Sequence, residues 1–150
     1  MIKKCVSIFW VAVAMVFMLT GCKASSSKSY TFSVETGDAI KITLDTSDKY
    51  DITSEVPFVI SHDGATLSQG IFLAADDYKA YADVVNADEN AVVLDSGSKD
   101  GNSYIFWSYN DSEFNYVIMV QDSGTGILIG NNVSEESARE CFERLTFSVE

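Results

Sequence analysis

Ser103-Tyr104-Ile105-Phe106-Trp107-Ser108-Tyr109, the turn Asp111-Ser112-Glu113 and the run Phe114-Asn115-Tyr116-Val117-Ile118-Met119-Val120-Gln121 decide the fold. Successive side chains of a strand point to opposite faces. Tyr104 and Phe106 therefore share one face of the first run, and Ile105, Trp107 and Tyr109 share the other. In the second run Phe114, Tyr116, Ile118 and Val120 point one way, with Val117 and Met119 opposite. A strand that is apolar on both faces belongs inside a sheet covered on both sides.

Working outward, Asp122-Ser123-Gly124-Thr125-Gly126 predicts a hairpin turn into a strand at Ile127-Leu128-Ile129. Upstream, Ala91-Val92-Val93-Leu94 predicts a short strand, and Asp95 to Asn102, rich in Gly, Ser and Asp, predicts a loop. Nearer the N-terminus, Tyr30, Phe32 and Val34 alternate with polar residues, as do Ile40, Ile42 and Leu44, with Glu35-Thr36-Gly37-Asp38 as the turn between. Asp45 to Asp51 predicts a polar loop. Phe58, Ile60 and His62 lie on one face of a third strand that starts at Pro57, and Thr66 to Leu73 returns as a fourth.

Two helices interrupt the strands. Tyr78, Tyr81, Ala82 and Val85 fall at i, i+3, i+4 and i+7, with Asp76 and Asp77 where negative charge suits the helix dipole. Ser134 caps the second helix, Glu135 and Glu136 occupy its first turn, and Ala138, Cys141, Phe142 and Leu145 make its apolar stripe. Phe147 and Val149 close the chain as a strand. About 6–9 short strands and two helices joined by tight turns predict one α+β domain over residues 30–150, built on a mainly antiparallel sheet. The strand pairs before Asp76, the helix Asp76–Asn86, the hairpins from Ala91 to Gly130 and the closing helix running into Leu145-Thr146-Phe147 resemble the Mog1/PsbP-like fold. That resemblance implies a twisted antiparallel sheet carrying helices on its faces. It also implies accessory or binding roles, with no shared catalytic residue.

The N-terminus carries a different signal. Lys3 and Lys4 precede an unbroken apolar run from Ile8 to Leu19, followed by Thr20 and Gly21. This is the layout of a signal peptide, and the run falls short of the ~20 residues a membrane span needs. Leu19-Thr20-Gly21-Cys22 resembles the bacterial lipobox, which implies acylation of the Cys22 sulfur and cleavage before it. The expected plan is a signal peptide over 1–21, a lipidated Cys22 with a flexible Ser/Lys tether to 29, and the folded domain beyond. The expected location is the extracytoplasmic face of the cell membrane.

The whole chain has 10 basic and 22 acidic residues, a formal charge of −12; without Lys3 and Lys4 it becomes −14. Such a surface repels nucleic-acid phosphate and anionic leaflets alike. Nucleic acid is therefore excluded as a partner; the partners expected are the membrane, through lipid, and a protein or small ligand of the cell envelope. With Cys5 in the signal and Cys22 acylated, only Cys141 would remain, so the domain is expected to stand without a disulfide.

Little in the chain predicts catalysis. His62 is the single histidine, placed at a strand end, and Cys141 lies on an apolar helix stripe where a thiol packs as a small hydrophobe. Asp95-Ser96-Gly97-Ser98-Lys99-Asp100-Gly101 lacks the acid ladder and closing Glu of a calcium loop and holds Lys99 within it, and Asp45, Asp48 and Asp51 are spaced by three in another loop; both read as solvated turns, with weak extracellular calcium binding as the alternative. No cofactor and no metal site is expected. Tyr104, Trp107, Tyr109, Phe114 and Tyr116 remain as the candidate binding surface: a platform if a face stays open, core if both are covered. The reading is a non-enzymatic binding or accessory domain. The alternatives are a cell-envelope hydrolase using acids such as Asp63 or Asp95, and a structural subunit of a membrane complex.

Overall fold

Period-two alternation shapes most of the molecule. The computed structural model describes residues 26–150, so the signal segment, Cys5 and Cys22 lie outside the described residues. Among the described residues the chain forms ten strands and two helices. In order they are β1 (Ser27–Ser33), β2 (Ala39–Asp45), β3 (Tyr50–Ile52), β4 (Phe58–His62), β5 (Ala65–Ala74), α1 (Ala75–Ala87), β6 (Ala91–Lys99), β7 (Asn102–Tyr109), β8 (Glu113–Met119), β9 (Thr125–Asn131), α2 (Glu135–Glu143) and β10 (Leu145–Val149).

The fold is α+β and every strand pairing is antiparallel. The strands divide into two sheets rather than one. Seven run in the order β3-β4-β5-β9-β8-β7-β6, and three in the order β1-β2-β10. The small sheet and α2 cover one face of the large sheet, around a core of Phe32, Ile40, Ile42, Leu44, Phe58, Phe106, Ile118, Ile127, Cys141 and Phe142. α1 covers the other face through Val85, packed with Trp107 and Val117. β7 and β8 are thus buried on both sides, as their two-faced apolar sequence requires.

Several boundaries differ from expectation. β1 begins at Ser27, ahead of Tyr30: Ser27, Lys28 and Ser29 pair with Asp45, Leu44 and Thr43 on a sheet edge, where exposed polar side chains cost nothing. The polar stretch before Asp51 contains β3, whose Tyr50 and Ile52 are buried. Asp95 to Asn102 is no loop. β6 continues to Lys99, and the chain reverses in two residues, Asp100 (φ 52) and Gly101 (φ +83), before Asn102 pairs with Lys99. Both turn residues hold the left-handed geometry that a two-residue hairpin turn demands. β6 is an outer strand of the large sheet and none of its residues is fully buried, and a bulge between Val93 and Asp95 bends this free edge.

α2 is fastened at both ends. Ser134 accepts a hydrogen bond from the Ser137 N–H (3.0 Å), as the cap reading predicts. Ala138, Cys141 and Phe142 are buried beneath the helix; Leu145 is buried too, but already belongs to β10. At the other end, the Lys99 ammonium reaches across from β6. It donates to the carbonyls of Phe142 (2.7 Å), Glu143 (3.0 Å) and Leu145 (2.8 Å).

In the large sheet, the Phe58 ring lies across Gly70 on the neighbouring strand; a Cβ there would sit 2.0 Å from Phe58 Cζ, so only glycine fits. This pair closes the β4–β5 ladder, and beyond it β5 runs on toward α1 paired with β9 on its other side.

Candidate functional site

The five aromatic residues do not form one surface. Tyr104, Phe114 and Tyr116 face the main core, whereas Trp107 and Tyr109 face α1. Phe106, Tyr116 and Phe142 stack in parallel at 4.1 and 4.0 Å between centroids. A cation sits over each end of this stack: Arg139 at 4.7 Å from the Phe106 ring and Lys99 at 4.8 Å from the Phe142 ring. Burial pushes the Tyr116 hydroxyl well above the ordinary tyrosine value. Trp107 and Tyr109 line a modest groove of about 280 Å³ beside Tyr81, Val84 and Leu128. The hairpin therefore serves chiefly as core.

The remaining sequence candidates are scattered. His62 is exposed at the end of β4, its ring 4.6 Å from that of Tyr50. Cys141 is buried in the main core, and desolvation pushes its thiol up, away from the reactive thiolate. Asp51 is bound by Lys28 (2.8 Å), while Asp45 (3.8 Å) and Asp48 (3.1 Å) face Arg144. Among the described residues no three His, Cys, Asp or Glu side chains gather as a metal-holding group. Asp63 lies in the β4–β5 turn, 3.5 Å from Lys49. Asp95 lies on β6, where it accepts from the Tyr104 hydroxyl (3.0 Å). These two acids sit toward opposite edges of the large sheet.

A roomier concavity lies elsewhere, and no residue motif marks it. A groove of about 650 Å³ runs between the end of β1 with its turn (Ser33 to Thr36) and the stretch Ile71-Phe72-Leu73-Ala74 of β5. Val56 closes one side and Asp77, in the first turn of α1, another. The volume falls within the ~300–1,000 Å³ range of small-ligand clefts. Val34, Val56 (55% exposed), Ile71 (37% exposed), Phe72 and Leu73 make its apolar lining, with Ser33 and Thr36 among the polar groups beside them. Among the described residues, the only charged side chains lining it are Glu35 and Asp77, both acidic and both exposed.

The β1–β2 turn that forms one wall is held by Asp38. Its carboxylate accepts from the Thr125 hydroxyl (2.7 Å) and the Gly124 N–H (2.9 Å) in the β8–β9 turn. Thr36 joins Thr125 through their hydroxyls at 2.6 Å. These bonds, the Thr125 hydroxyl first, hold the Asp38 carboxyl below its ordinary value. An acid with a lowered folded pKa stabilises the fold above its unfolded pKa, ~3.9, and loses that contribution as pH falls through the folded value. Asp38→Asn should therefore be less stable than the parent at pH 7, and the gap should narrow below about pH 4. Urea unfolding at a series of pH values measures it, and a gap constant down to pH 3 would refute the clasp.

No family model and no curated protein matches the chain.

Proposed function

We propose that this chain is a lipid-anchored, extracytoplasmic binding domain of the cell membrane, non-enzymatic, whose ligand is a protein segment or small molecule of the cell envelope. The anchor reading is carried by Leu19-Thr20-Gly21-Cys22 at the end of the apolar run. The binding reading is supported by the 650 Å³ groove with apolar walls. The likeness to the Mog1/PsbP-like fold, a fold of accessory proteins, belongs to the same reading.

Covalent geometry adds a constraint. Four residues separate Cys22 from the start of β1 at Ser27, and the five steps between them span at most roughly 18 Å when fully extended. An acylated Cys22 would hold the domain close to the lipid surface, while the acidic body is repelled by anionic headgroups. No helix among the described residues is long and apolar enough to cross a membrane. Attachment would then rest on acyl chains, each buried methylene contributing ~0.8 kcal/mol.

Intact-mass measurement of protein from native bacterial membranes tests the anchor. The expected species starts at Cys22 and carries acyl adducts, and Cys22→Ser yields an unprocessed chain without them. A terminus at Met1 with no adduct overturns it.

A further inference from the structure

We propose that the 650 Å³ groove takes an extended, cationic peptide segment of a partner protein, which adds as a strand to the free edge of β5. The proposal rests on the binding-domain reading above and names its ligand class.

The backbone directions fix which edge is free. Thr53 N–H donates to the Val59 carbonyl (3.0 Å), so Val59 turns its backbone groups toward β3. Alternation then turns those of Phe58 toward β5, and Gly70 opposite it turns back toward β4. Two and four residues on, Phe72 and Ala74 face the same lane. The other end of the strand agrees independently: Ala75 N–H donates to the Gly124 carbonyl (3.0 Å) on the β9 side, so Ala74 and Phe72 point away from β9. β4 occupies the lane only as far as Gly70. Among the described residues, the Phe72 N–H and C=O and the Ala74 N–H have no hydrogen-bond partner. The Ala74 carbonyl is taken up by the start of α1.

The groove lies against this edge. Four consecutive residues, Ile71 to Ala74, line it. A strand shows alternate side chains to a cavity above its face, whereas a cavity along its edge meets every residue in turn. An extended segment in this lane would satisfy the Phe72 groups and direct its side chains alternately toward Val34 and toward Asp77. Strand addition of this kind gains affinity from main-chain bonds and selectivity from side-chain pockets.

Charge selects the occupant. Glu35 and Asp77 line the groove, and among the described residues no lysine or arginine does. A second copy of this chain, itself at −12, would bring the same two acids against them. A segment with lysine or arginine among apolar residues is complementary.

The test uses the full chain in detergent and a blocked hexapeptide of alternating valine and lysine. The expected result is saturable binding, with slowed exchange of the Phe72 and Ala74 amide protons. The double variant Glu35→Gln, Asp77→Asn should bind roughly five- to tenfold more weakly. The valine–glutamate peptide should bind more weakly still. Of two analogues N-methylated at odd or at even positions, one should lose roughly fivefold or more and the other little, because only alternate N–H groups face β5. Equal binding of the lysine and glutamate peptides, equal binding of both methylated analogues, no binding, or a dimer that the peptide leaves intact would each overturn the proposal. These results are independent of the acyl mass at Cys22, so failure of the ligand class and failure of the anchor are told apart.

Discussion

Lys99→Met is expected to lower unfolding stability by about 2–3 kcal/mol, because it removes charge-assisted bonds to three carbonyls at once. The last carbonyls of a helix have no partner within it, and here those of Phe142 and Glu143, with that of Leu145 at the start of β10, face one ammonium. The same cation sits over the Phe142 ring, at the end of the Phe106–Tyr116–Phe142 stack. Burial pulls the lysine's pKa down, against Glu143 and Asp100, which favour the charged form. Methionine keeps the stem's packing volume and deletes the charge, so what is lost is the capping itself. In urea the midpoint should fall with an unchanged slope, and the amides that open β10 should lose exchange protection before those of β7. Lys99→Arg should recover only part of the loss, since a planar fork cannot converge on three carbonyls as an ammonium does. A midpoint shift worth less than about 0.5 kcal/mol, the usual range for an exposed surface change, would show that the contact is dispensable.

Lys99 also shows where sequence reading stops. Periodicity reports which face of an element is buried. It located β7, β8 and both helices, because Tyr104, Trp107, Val117, Cys141 and Phe142 all lie under a cover that their spacing announces. Periodicity does not report which lane a strand occupies, so the division into two sheets was not legible. Nor does it reveal an outer strand: Asp95 to Lys99 reads as a loop because neither face is fully buried. Nothing in that stretch marks the partner of its lysine, which the hairpin brings to Phe142, 43 residues along the chain. The groove was less legible still. Its edge is made of the Phe72 N–H and C=O and the Ala74 N–H, and every residue but proline carries such groups whatever its side chain. Only the register, ending at Phe58 and Gly70, leaves these unpaired.

The other end of α2 carries the second large effect. Asn131 is 2% exposed and uses its full bonding capacity. Its amide donates to the Ser68 hydroxyl (2.9 Å) and the Ser137 hydroxyl (3.0 Å), and its carbonyl accepts from the Val133 N–H (2.9 Å) and the Ser134 N–H (3.3 Å). One side chain thus joins β5, β9 and the first turn of α2. Asn131→Leu keeps the bulk but leaves two buried hydroxyls and two turn amides to find other partners; at ~1–3 kcal/mol for a stranded buried group, a loss of about 3–4 kcal/mol is expected after partial relaxation. For a domain of this size that corresponds to roughly 10–15 °C in Tm. A general loss of packing would predict the same fall, so Asn131→Asp supplies the discriminating measurement. The aspartate keeps the acceptor for Val133 and Ser134 but, once ionised, donates to neither serine and carries a charge in a site with little water. Its folded pKa should therefore lie above the ordinary ~3.9, and its deficit relative to the parent should grow as pH rises from 4 to 7. Calorimetric melts across that range decide the matter: a pH-independent deficit would mean that volume, rather than the four hydrogen bonds, is what position 131 supplies.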